Sequence, residues 1–60
     1  MTTTEAITAL RNAAVERSAN RNRKTLRAYR EAASVVWAMF LANPTNDQLH
    51  EIVSVYSIEG

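Results

Sequence analysis

Cysteine is absent from this 60-residue chain, so no disulfide can staple it and the usual thiolate zinc sites are excluded. The only histidine, His50, cannot build a metal site alone. Glycine occurs once, at the last position, which leaves no glycine-rich loop to cradle a phosphate and few of the turns that a sheet requires. The single proline, Pro44, follows Asn43 in a turn-forming pair. No Lys or Arg follows Arg30. The longest apolar run, Ala32 to Ala42, holds eleven residues with Ser34 inside it, well short of the about 20 that a membrane span requires. The segment Met1-Thr2-Thr3-Thr4-Glu5 is polar and lacks a basic-then-apolar export pattern. These absences predict a cytoplasmic protein with no cofactor, no metal, no small-molecule substrate and no membrane partner.

What is present is helix-forming sequence in three pieces, predicted as one domain over residues 1–60. Thr2-Thr3-Thr4-Glu5 has the spacing of a capping box, and Ile7, Leu10 and Ala14 follow on one face. That pattern predicts a helix at about 3–17. Arg17 to Thr25 contains no large apolar residue. Ser18, Asn20 and Asn22 suit helix caps better than helix interiors, so a break is expected there. A second helix at about 22–42 carries Leu26, Tyr29, Ala33, Val36 and Phe40 as a seam. It must end near Asn43, because the residue before a proline avoids helical backbone angles. Thr45-Asn46-Asp47-Gln48 reads as another capping box, with Leu49, Ile52, Val53 and Tyr56 as the stripe of a third helix at about 46–57. The predicted fold is all-α: a two- to three-helix domain whose main pair forms a helical hairpin across Asn43-Pro44, with the first helix more loosely attached.

The second helix is apolar nearly all round from Val35 to Leu41. A short chain buries a smaller share of its surface than a long one, and an all-round apolar helix must be covered on several sides. With disulfides and metals excluded, the remaining staple is a second subunit. A homodimer or higher helical assembly is therefore expected, with Val36, Trp37, Met39, Phe40, Leu41, Ile52 and Tyr56 as its interface.

Charge is segregated along the chain. The seven basic residues, Arg11, Arg17, Arg21, Arg23, Lys24, Arg27 and Arg30, stand against one acid, Glu16, between positions 11 and 30, leaving +6 there. Beyond Arg30 stand Glu31, Asp47, Glu51 and Glu59 and no Lys or Arg. On a helix Arg23, Arg27 and Arg30 form one ridge, and Arg17, Arg21 and Lys24 share the same spacing. Such ridges can track a phosphate backbone, and the planar fork of arginine suits phosphate. Arg17, Arg21, Arg23, Lys24, Arg27 and Arg30 are the candidate nucleic-acid contacts, and Tyr29 would stack on a base if exposed. The bland alternative is a solvated basic surface, or pairing with the acidic half within or between chains, where each surface pair contributes little.

Catalysis has no comparable basis. His50 with Ser54 one turn on, or Asp47 with Glu51, would form no active site without a pocket and an oxyanion hole. No catalytic residue is assigned, and the expected class is non-enzymatic.

Thr25-Leu26-Arg27-Ala28-Tyr29-Arg30, followed by apolar residues through Trp37 and Phe40, resembles the first helix of the core-binding (SAM-like) domain of tyrosine recombinases, the phage integrases. That helix often reads Thr-x-Arg-x-Tyr, then an aromatic, then Trp. Here Trp37 precedes Phe40, and no catalytic domain is present. Thr45 to Tyr56 would correspond to the next helix. The resemblance implies a clamp on duplex DNA through Arg27 and Arg30, without strand cleavage. Together these features predict a small regulator that binds nucleic acid, DNA before RNA, encoded by a phage or mobile element. The alternative is an adaptor or inhibitor that binds another protein through the Trp37 and Phe40 surface.

Overall fold

A computed structural model describes residues 2–59; Met1 and Gly60 of the expected 1–60 domain lie outside the described residues. Three helices follow in order: α1 (Thr3–Ala19), α2 (Arg23–Ala42) and α3 (Asn46–Glu59). The all-α fold expected from the sequence is the one observed. α1 and α3 each run two residues further than expected at their C-terminal ends.

Local hydrogen bonds place the helix ends. Thr2 Oγ1 accepts from the Glu5 N–H at 3.1 Å, and a Glu5 carboxylate oxygen accepts from the Thr2 N–H at 3.1 Å. This reciprocal pair satisfies amides that the first turn of a helix leaves without partners. α1 ends at Asn20, whose N–H donates to the Glu16 carbonyl at 2.8 Å. α2 opens on Asn22, whose side-chain oxygen accepts from the Thr25 N–H at 3.0 Å. α2 closes at Asn43, whose N–H is shared between the Met39 and Phe40 carbonyls, just before Pro44 prevents continuation.

Thr25 holds the α1–α2 elbow together, a role the sequence did not single out. Its hydroxyl accepts from the Asn22 N–H and donates to the Asn20 and Asn22 carbonyls, so one buried side chain ties both ends of the non-helical elbow to α2. Thr25→Val keeps the shape and removes these bonds. It is expected to cost about 1–2 kcal/mol, the usual range for losing a cap, whereas Thr25→Ser should cost less. Urea denaturation of the two variants checks this.

The core consists of Ala6, Ile7, Leu10 and Ala14 from α1, Tyr29 and Val36 from α2, and Ile52 and Val55 from α3. Ala6, Ala9, Ala32 and Val35 line one cleft between α1 and α2, and Ala13, Glu16, Thr25 and Ala28 line another nearer the elbow. That register is antiparallel. α1 packs closely against both other helices, while the α2 and α3 backbones approach each other far less. The expectation of a loosely attached first helix is therefore corrected: α1 is the element that the other two share. Its alanines add little width, so two helices can approach it. Between α2 and α3, by contrast, stand the rings of Trp37 and Tyr56, stacked with centroids 6.5 Å apart.

The expected stripe of α3 is also corrected. Ile52 is buried as predicted, but its core neighbour is Val55, and Leu49, Val53 and Tyr56 all lie on the exposed side. The buried line runs through Gln48, Ile52 and Val55, at i, i+4 and i+7. This rotation explains why the third capping box is only half made. Thr45 Oγ1 accepts from the Gln48 N–H at 3.2 Å. The Gln48 side chain turns toward the core instead of back to Thr45, and its Oε1 is buried without a hydrogen-bond donor among the described residues.

Candidate nucleic-acid interface

Four of the six predicted contact residues ride on the first half of α2. With Thr25 and Tyr29 facing inward, the 100° step of a helix puts Arg23, Arg27 and Arg30 on the outward side, and all three are exposed, as is Lys24. Seven residues at a 1.5 Å rise separate Arg23 from Arg30 by about 10 Å, close to three base steps of one strand at 3.4 Å. Arg23, Leu26, Arg27, Arg30 and Glu31 line a shallow concavity on this side. The remaining two are Arg17, half-buried in the last turn of α1, and Arg21, exposed in the elbow. Both adjoin the N-terminal end of α2. The structure thus gathers the six at one end of the molecule.

This arrangement is electrostatically uncomfortable. Arg23 and Lys24 occupy the first turn of α2, which contains no acid, and the positive end of a helix dipole disfavours cations there by about 0.3–1 kcal/mol each. Of Arg23, Arg27 and Arg30, only Arg27 has an ion pair among the described residues. Its Nε lies 3.3 Å from a Glu31 carboxylate oxygen, with side chains 83% and 70% exposed. A pair this open contributes at most a few tenths of a kcal/mol.

Tyr29 departs from the expectation of a base-stacking platform. It is 8% exposed and packs in the core with its ring centroid 6.2 Å from that of Tyr56. The aromatic surface lies further along α2. There the Trp37 indole N–H donates to the Tyr56 hydroxyl at 2.7 Å, the two rings lie within 20° of parallel, and Phe40 meets Trp37 edge to face.

The predicted interface divides into three groups by burial. Val36 and Ile52 are fully buried within the single chain and cannot contact a partner; both point at α1, which supplies the cover that the sequence pattern assigned to another subunit. Trp37, Met39 and Phe40 are half-buried. Leu41 is 71% exposed and Tyr56 36%. Leu49 and Val53 of the same α3 stripe are exposed as well; an unbroken apolar stripe looks like a core face when helix rotation is unknown. Among the described residues, no group of three His, Cys, Asp or Glu side chains is placed to hold a metal ion, and no helix is long and apolar enough to cross a membrane.

No protein-family model, curated protein or solved structure matches this chain.

Proposed function

We propose that this protein binds the phosphate backbone of nucleic acid, duplex DNA before RNA, through Arg23, Lys24, Arg27 and Arg30, flanked by Arg17 and Arg21, and that it acts as a small non-enzymatic regulator of phage or mobile-element type. The observation that carries this reading is the exposed arginine ridge at the positive end of α2, with Glu31 as the one carboxylate lining its concavity. An anion laid along that ridge relieves the repulsion among its cations and the opposing helix dipole at once. The resemblance to recombinase core-binding domains supports the same assignment, since it gives Arg27 and Arg30 to DNA and both face outward here. Contacts of this kind fix position and carry no sequence information by themselves.

The test is fluorescence anisotropy with a labelled DNA duplex, and with an RNA of the same sequence, across a range of salt. Binding should weaken steeply with salt, with a log–log slope of about −0.9 for each phosphate neutralised. Absence of binding at low salt, or affinity indifferent to salt, would remove this function.

A second reading, a protein partner, has its own observation. Trp37 and Leu41 on α2, with Leu49, Val53 and Tyr56 on α3, leave apolar surface on the side where those helices diverge. Aromatic and large aliphatic groups gathered in this way serve as interface anchors.

A further inference from the structure

We propose that α2 is a reading helix: its outward face enters the major groove of duplex DNA, where Arg27 and Glu31 recognise a G·C pair. The proposal rests on the nucleic-acid reading above and adds base edges to what that ridge contacts. A helix with its side chains is about 10–12 Å across, and the major groove is about 12 Å wide. The buried residues of α2, Thr25, Tyr29 and Val36, face the core. At about 100° per residue, Arg27, Ser34 and Ala38 lie opposite that direction to within about 20°, and all three are exposed. Ser34 and Ala38 are small, so this line can approach a groove floor closely. Lys24 and Arg30 stand about 60° to either side of it, where the two rows of phosphates would run.

Phosphate contact alone leaves one group on this ridge unexplained. The Glu31 carboxylate lines the concavity with Arg23, Leu26, Arg27 and Arg30, where it repels phosphate and contributes little to stability through so open an ion pair. Its chemistry matches the groove floor instead. A G·C pair presents there the O6 and N7 acceptors of guanine beside the N4 amino donor of cytosine. Arg27 meets Glu31 through Nε, at 3.3 Å. Both terminal nitrogens of the guanidinium are left for a bidentate bond to O6 and N7, and the second carboxylate oxygen is left to accept from N4. Duplex RNA offers no such site to a helix, because its major groove is deep and narrow. A cation on the groove floor still lies between two rows of phosphates and displaces counterions, so the salt dependence of binding is unchanged.

Fluorescence anisotropy at low salt tests this with three labelled DNA duplexes of equal length. One holds G·C pairs, one holds A·T pairs, and the third is the first with 7-deazaguanine for guanine, which keeps pairing and phosphates and removes N7. Wild type should bind the G·C duplex about tenfold more tightly than the A·T duplex, and 7-deazaguanine should remove most of that margin. Glu31→Ala changes an exposed residue. It should keep the helical circular dichroism and bind the G·C and A·T duplexes alike. Equal affinity of wild type for all three duplexes, with the salt slope intact, overturns this inference and leaves backbone binding standing. Absence of binding to any duplex overturns both. A G·C preference that survives 7-deazaguanine also overturns it. So does a Glu31→Ala variant that binds every duplex more tightly by the same factor, the result expected of an acid that only repels phosphate.

Discussion

Leu10→Ala should unfold much of the population in dilute buffer. Leu10 is fully buried, on the one helix that packs closely against both others. Truncating a buried leucine costs about 2–5 kcal/mol, the loss growing with the cavity left behind. A chain of this length has only about 3–9 kcal/mol of stability in total, at the usual 0.05–0.15 per residue. The one substitution therefore removes a large share of what holds the fold together. Leu41→Ala deletes the same atoms from an exposed site and should shift stability by no more than about 0.5 kcal/mol. Urea titrations followed at 222 nm compare the two directly. Equal midpoints for both variants would show that α1 is not the central element of the fold.

The second large effect concerns the arginine ridge. Changing Arg23, Arg27 and Arg30 together to glutamine should lower duplex affinity on the order of a hundredfold at low salt and flatten the salt slope by about three, one for each phosphate no longer neutralised. Folding should survive. All three side chains are exposed, the Arg27–Glu31 pair is too open to matter much, and removing Arg23 takes a cation from the unfavourable end of a dipole. Weaker binding by this variant would therefore reflect the missing charges and not an unfolded chain. Should the triple variant bind as wild type does, with an unchanged slope, these arginines are not the contact surface.

What could be read from the sequence was whatever depends on near neighbours. The start of α1, a break within Ser18–Asn22 and the stop before Pro44 each rest on hydrogen bonds or steric limits spanning five residues or fewer; the start and the stop stand where the residues placed them, and the break narrows to Asn20–Asn22. That Arg23, Arg27 and Arg30 share one face of α2 follows from helical spacing alone. Helix rotation and choice of neighbour were not legible. Leu49, Val53 and Tyr56 make as good a stripe as Gln48, Ile52 and Val55, indeed a greasier one, and only contact with α1 decides between them. The small residues Ala6, Ala13 and Ala14 look weak beside Trp37 and Phe40, yet their lack of bulk is what lets α1 sit against two helices. The interface expectation failed at Val36 and Ile52 for the same reason. It counted how much apolar surface needed cover without knowing that the first helix would supply it.

The crowding of all Lys and Arg into positions 11–30 has a further consequence, for turnover. A trypsin-like protease finds no cleavage site from Glu31 onward, and Arg21 is the one basic residue in the non-helical elbow, where backbone fits such an enzyme best. A nick there would sever α1 from the two helices that depend on it, and the halves would part on dilution. The lifetime of the intact protein then depends on how well the elbow is shielded, and anything laid across the neighbouring arginines would act as that shield.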